Sequence, residues 1–225
     1  MFLPPLIQTP PRGMKPIPGK GRQEKIPGEP GSGGIMISRI DHVAMAVQDY
    51  DGAFDFFTRV FGAVPCTSSQ DDALQYTWQI LALGDLSRIE LLRPTGEKSF
   101  LGPFLRNRIG GVHHITMQTP DIEQAREHLE EHSVPYFGFN DVFDIWKELF
   151  IHPRDAYGTL IQIAEFEADD WLSESVKMHP DRKWEIEQSD DGCTATFAHP
   201  GGATVKITLS RDDLRSLIRD LEEAL

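Results

Sequence analysis

Apolar positions recur along this chain with two periods. The stretch "ISRIDHVAMAV" from Ile37 reads as a strand, and "DYDGAFDFFTRVFG" after it places Phe54, Phe57, Val60 and Phe61 on one helical face. "QYTWQILALG" and "SRIELLRP" follow as strands. "SFLGPFLRNRIGG" is a short helical connector ending in glycine, the residue that most readily closes a helix C-terminus. "VHHITMQT" is a further strand, and "DIEQAREHLEEHS" a helix that the Asp121 side chain can cap. "DIWKELFIHP" and "GTLIQIAEF" give two more strands. Past about Asp169 the elements shorten, with "KWEIEQ", "CTATFA" and "ATVKITL" as three strands joined by "SDDG" and "HPGG" turns. Ser210 with Asp213 opens a last helix as a capping box would, its apolar face formed by Leu214, Leu217, Ile218 and Leu221.

Composition divides these elements into three segments. Residues 1–36 hold half of the chain's prolines, many glycines and a mild positive charge, so they cannot readily build a ladder or a core and are expected to form a disordered tail. Residues 37–168 carry the alternating strands and helices, and residues 169–225 a small strand-plus-helix appendage. The net charge of −13 excludes a nucleic-acid-binding surface, which needs clustered Lys and Arg. No apolar run approaches the roughly 18–20 residues of a membrane span. Cys66 and Cys193 form neither a disulfide framework nor a zinc knuckle, and a cytoplasmic protein is expected.

The middle segment repeats itself. "IDHVAMAVQD" aligns with "VHHITMQTPD", so that His114 follows His42 by 72 positions, as Met117 follows Met45 and Asp121 follows Asp49. The same offset lays "SRIELL" over "TLIQIA" and Glu90 over Gln162. Each half reads β-α-β-β with room for another strand, and its polar groups stand on its first and last strands. Imidazole and carboxylate are the usual ligands of Zn, Mn, Fe, Co or Ni in the divalent state. Two pseudo-symmetric halves can bring His42, Glu90 and His114 to one ion at the centre of a curved sheet. Side chains alternate across a strand, so His113 is expected opposite His114, on the outer face with Asp41.

The block running from "IDHVAMAVQDYDGAFDFFTRVFG" through "RIELLRPTGEKSFLGPFLRNRIGGVHHITMQTPDIEQAREHL" to "LFIHPRDAYGTLIQI" resembles the vicinal oxygen chelate proteins. It is most similar to their methylmalonyl-CoA epimerase branch and, more distantly, to glyoxalase I. That resemblance implies an α+β fold: paired βαβββ modules forming an open curved sheet around a divalent metal. It places ligand roles on His42, Glu90 and His114. At Gln162 the chain departs from the pattern, because epimerases of the family carry there a glutamate that binds metal and moves a proton. An amide oxygen can still ligate, so Gln162 is expected as a fourth ligand, but it cannot exchange a proton near neutral pH.

The family's chemistry takes a proton next to a carbonyl while the metal stabilises the enolate, so a base must be found elsewhere. If Leu149 and Ile151 face the helices, Trp146, Glu148, Phe150 and His152 turn to the concave side. Glu148 between two aromatics then gains a raised pKa and suits a base, and Glu90 could leave the metal to serve instead. Trp146 and Phe150 are the expected substrate contacts for an apolar or aromatic group. Arg106, within a cluster with Arg93, Lys98 and Arg108, is the expected contact for the phosphates of an acyl-CoA. The expected function is a metal-dependent isomerase or lyase, active as a homodimer on an acyl-CoA, 2-oxo acid or aromatic substrate. One alternative is a non-haem Fe(II) dioxygenase using the two histidines and Glu90; another is a non-catalytic small-molecule binding protein.

Overall fold

A computed structural model of the chain describes residues 36–84, 87–199 and 201–225, so the segment expected as a tail lies, but for Met36, outside the described residues. Its main sheet has eight strands: β1 (Arg39–Val47), β2 (Val64–Asp71), β3 (Tyr76–Leu83), β4 (Ser87–Pro94), β5 (Gly110–Gln118), β6 (Phe137–Val142), β7 (Trp146–Ile151) and β8 (Leu160–Phe166). Their order is β2-β3-β4-β1-β5-β8-β7-β6, a curled open half-barrel. In each half the first strand pairs in parallel with the last, β1 with β4 and β5 with β8, and β1 and β5 join the halves antiparallel at the centre. The strand for which each half left room is the outermost one. β2 ("VPCTSSQD") carries a proline and β6 ("FGFNDV") a glycine among polar residues, which each can do because it sits at an edge with one neighbour, where apolar alternation is not required.

Two helices cover the outer face. In α3 (Ile122–Glu131) the Asp121 side chain accepts from the Gln124 amide, and Ile122, Ala125 and Leu129 pack on Leu149, Ile151 and Ile163. In α1 (Tyr50–Asp55) Asp49 caps the start, but the helix then widens into a π-turn over Phe56–Val60. The wider turn breaks the expected four-residue stripe. Phe57 stays buried with Phe54 beside it against Leu81 and Leu91, whereas Val60 and Phe61 are 65% and 58% exposed.

The concave face is filled differently. The short α2 (Leu101–Leu105) packs Leu101 and Leu105 on Ala44, Ala46 and Leu92. The chain after β8 returns across this face, setting Trp171 against Trp78, Trp146 and Phe166, and Leu172 against Ala82 and Ala203. It then builds a second sheet, a meander of β9 (Trp184–Ser189), β10 (Gly192–Ala198) and β11 (Thr204–Ser210), followed by α4 (Arg211–Glu223). The Ser210–Asp213 capping box forms as expected. Of the α4 face, Leu214 and Leu217 are half-buried, while Ile218 and Leu221 remain 46% and 58% exposed. Among the described residues no helix is long and apolar enough to cross a membrane.

Candidate metal centre

The central β1–β5 pair and β4 bring together three side chains able to hold a metal. Ala44 stands opposite His114 across the antiparallel pair and beside Glu90 across the parallel one, so the histidines and the glutamate project around a single residue. One ligand atom from each of His42, Glu90 and His114 lies within 4.8 Å of the other two. Glu90 Oε2 is 3.7 Å from His42 Nε2 and 3.5 Å from His114 Nε2. His114 Nε2 is buried and has no hydrogen-bond partner. A buried lone pair facing a carboxylate and a second imidazole is what a divalent cation satisfies, and two nitrogens with one oxygen suit Zn, Mn, Fe, Co or Ni. The residues fit a metal.

Both histidines are aimed from behind by the residue that precedes them, contrary to strict alternation. The β1–β5 register slips at Asp41 and again at His113, so each is the extra residue of a β-bulge. These positions are themselves 72 apart, so the bulge belongs to the repeat. It turns both side chains to the concave side, which corrects the expectation that His113 and Asp41 occupy the outer face. Asp41 Oδ2 accepts from His42 Nδ1 at 2.8 Å, and His113 Nδ1 lies 3.0 Å from His114 Nδ1. In each case Nδ1 is engaged and Nε2 faces the centre, that of His114 without a partner and that of His42 beside the Thr116 hydroxyl, an arrangement in which an outer partner can set the tautomer of a ligating histidine. His113 also packs edge-on against Phe100 and Phe104. Asp41 is gripped by Arg39 at 2.5 Å and by a short contact to Arg88, whose side chain is 2% exposed.

Gln162 and Glu148 lie beside the three ligands as one hydrogen-bonded unit. The Thr116 hydroxyl, 2.8 Å from His42 Nε2, donates to Gln162 Oε1 at 2.5 Å. Gln162 Nε2 donates to Glu148 Oε2 at 2.6 Å, and Trp146 Nε1 donates to the same oxygen at 2.8 Å. Leu149 and Ile151 do face α3, which leaves Glu148 on the concave side, buried. Burial raises its carboxyl above the ordinary range, against the pull of the Trp146 and Gln162 hydrogen bonds. Burial likewise pushes Glu90 up to about 7, opposed by His42 and assisted by the charges of Glu148 and Asp41. The imidazole of His114 is held well below its usual range by burial and by its two histidine neighbours, so it is neutral and able to ligate.

Four side chains at this centre lay outside the sequence reading: Arg88, Thr116, Tyr76, and Asp41 in its role behind His42. Tyr76 is half-buried, and desolvation of its hydroxyl with the charges of Glu90, Glu148 and Asp71 drives that group well above the ordinary range. Polar residues on otherwise apolar strands were the available signal for Arg88 and Thr116. Of the expected substrate contacts, Phe150 stands with its ring 6.5 Å from His114, whereas Trp146 is stacked on Phe166 at 4.5 Å. Arg106, Arg108 and Lys98 are exposed around α2, and Arg93 lies apart from them, over the Tyr50 ring.

Residues 41–150 match the family model of the Glyoxalase/Bleomycin resistance protein/Dioxygenase superfamily. An ethylmalonyl-CoA/methylmalonyl-CoA epimerase from Cereibacter sphaeroides is 34% identical over 134 residues, which are 58% of this chain and 99% of that protein. The crystal structure of methylmalonyl-CoA epimerase from Mycobacterium tuberculosis superposes with a TM-score of 0.54 at 26% identity, over 58% of this chain and 89% of that one. A variant of the Streptomyces coelicolor methylmalonyl-CoA epimerase, in complex with 2-nitronate-propionyl-CoA, gives 0.53 at 25% identity, over 59% of this chain and 99% of that one. The chain therefore belongs to the Glyoxalase/Bleomycin resistance protein/Dioxygenase superfamily, with the vicinal oxygen chelate fold. Within that class it is an enzyme, a metal-dependent epimerase. These relatives favour that reading over the oxygenase and the non-catalytic binding module.

Proposed function

We propose that the chain epimerises a 2-substituted malonyl thioester of coenzyme A. In this reading His42, Glu90, His114 and the Gln162 amide oxygen hold one divalent ion, and Glu148 moves the proton. The observation that carries it is the convergence of His42 Nε2, His114 Nε2 and Glu90 Oε2 within 4.8 Å, beside a second buried carboxyl. The substrate class follows from the relatives, one of which acts on ethylmalonyl-CoA and methylmalonyl-CoA. The ion, when bound, supplies Lewis-acid stabilisation of the negative charge that develops on the substrate's carbonyl oxygens. Glu148 takes the proton from the carbon between the two carbonyls, its raised pKa bringing it closer to that weak acid. Inversion requires a proton on the opposite face of the same carbon, and Glu90, from the other half of the sheet, would return it only by leaving the ion and carrying that proton itself. Gln162 cannot exchange protons; it orients Glu148 through the 2.6 Å hydrogen bond. Phe150 borders the reacting end, and Arg106, with Lys98 and Arg108 around α2, meets the coenzyme phosphates.

Incubation of the metal-loaded protein with methylmalonyl-CoA in D2O tests this directly. One deuterium enters the 2-carbon per turnover, and a chelator abolishes the exchange. Exchange indifferent to chelation, or absent from a protein that retains its metal, would overturn the proposal.

A further inference from the structure

The second sheet reaches the centre through a buried chain of contacts that begins in the turn between β10 and β11. The Gly201 carbonyl accepts from Arg88 Nη2 at 2.8 Å. Arg88 Nη1 in turn holds Asp41 Oδ1, and Asp41 Oδ2 accepts from His42 Nδ1 at 2.8 Å. The turn is pinned in place by the Ala203 amide, which donates to Asp169 Oδ1 at 3.0 Å, and by the His199–Ala203 and His199–Gly202 backbone hydrogen bonds. Its two glycines stand at close approach to their neighbours. A Cβ on Gly201 would lie 2.6 Å from Arg39 Nη1. One on Gly202, where φ is +82°, would lie 2.9 Å from Ala168 Cβ and 3.0 Å from Arg88 Nη2. The family match ends at residue 150, so this turn lies outside it.

We propose that Gly201–Ala203, in the turn before β11, form a positioning arm of the metal centre: Gly201 fixes Arg88, Arg88 fixes Asp41, and Asp41 fixes the tautomer and ring plane of His42. The role of the ion rests on the reading given above, but the tautomer of His42 does not. The Arg88 guanidinium is suited to the task because its rigid fork reaches the Gly201 carbonyl and the Asp41 carboxylate at once, which the single ammonium of lysine cannot reproduce. The second sheet is therefore more than an appendage: its turn completes the outer support of one ligand.

Imidazole ¹⁵N shifts in the metal-free full-length chain, with Co²⁺ titration and the visible spectrum of the Co²⁺ form, test the arm. In the wild type His42 is held as the Nδ1–H tautomer. Arg88→Gln yields a tautomer mixture, weakens Co²⁺ binding about 10- to 100-fold, the usual cost of an outer-shell change, and shifts the visible bands. Arg88→Lys recovers part of the loss, and Gly201→Ala, made wholly within the turn, shows the same changes to a smaller degree. Cys193→Ala, buried in β10, serves as the control: it lowers the melting temperature and leaves tautomer and affinity unchanged. Wild-type tautomer and affinity in folded Arg88→Gln and Gly201→Ala would overturn the arm, as would an equal loss in Cys193→Ala. If the wild type binds no Co²⁺, the metal reading falls while the His42 tautomer still decides the arm.

Discussion

The two halves of the main sheet share a backbone and differ in what they hang on it. Each has a bulge before its histidine, at Asp41 and at His113, and each bulged side chain engages the following Nδ1. In the first half the backing group is a carboxylate held by Arg39 and Arg88. Burial alone would raise Asp41, but the His42 hydrogen bond and the nearby positive charges outweigh it and keep the carboxyl below its ordinary range. In the second half the backing group is an imidazole that burial pushes down to about 4, wedged between Phe100 and Phe104. One ligand is thus supported by charge and the other by packing and a neutral hydrogen bond. The last strands differ as well, Glu90 in the first half against Gln162 in the second. Opposite those residues stand Ile80 and Phe150, which makes Trp78 the counterpart of Glu148. The proposed ligating carboxylate sits in one half and the proposed base in the other. Backbone symmetry sets where groups converge, and the side chains that break it divide the work.

The largest effect is expected where the break carries the chemistry. Glu148→Gln lowers deuterium exchange into the substrate about 10²- to 10⁴-fold, the usual worth of a general base, while metal content by elemental analysis stays at the wild-type level. Loss of metal along with exchange would instead make Glu148 a structural neighbour of the site.

Glu90 is the next point of stress. A carboxyl raised to about 7 binds a proton more readily in the folded than in the unfolded chain. Its contribution to the stability of the metal-free protein is therefore full below about pH 4.5 and is lost as pH rises through about 7. Glu90→Gln should stabilise the metal-free chain at pH 8 by on the order of 2–3 kcal/mol and leave it unchanged near pH 4, as read by denaturant unfolding at the two pH values. The paired exchange Glu90→Gln with Gln162→Glu moves the ligating carboxylate to the other half. It should bind metal more tightly than Glu90→Gln alone, and failure to do so would show that the halves are not interchangeable at this position.

Two outer-shell substitutions then test charge against packing. Asp41→Asn weakens Co²⁺ binding about 10- to 100-fold, because the aspartate's orientation and charge are lost together. His113→Phe keeps the aromatic packing and removes only the Nδ1 contact, so the loss is the smallest, about three- to tenfold. Equal losses in the two variants would erase the distinction between the supports.

Much of this was legible in the chain. The 72-residue offset paired His42 with His114 and Glu90 with Gln162, and these side chains converge because repeats of equal length fold to equal positions on the two sides of β1 and β5. Asp121 and Ser210 announced their helices because caps act within one turn. Alternation failed at Asp41 and His113 for a physical reason: a bulge is set by pairing with a strand about seventy residues away and has no local signature. The offset also falls from 72 to 70 between β3 and β7, since Ile80 pairs with Glu90 where Phe150 pairs with Gln162. Glu148 and its counterpart thus could not be matched from the chain alone.

By itself the sequence determined the repeat, the elements and the pairing of His42 with His114 and of Glu90 with Gln162, because periodicity and spacing are properties of the chain. Only the tertiary structure decided that Asp41 and His113 aim the ligands, and that Glu148 stands behind Gln162. It also decided that a glycine turn 159 residues beyond His42 holds Arg88 in place, because buried contacts depend on strand register and on which distant segment comes to cover a face.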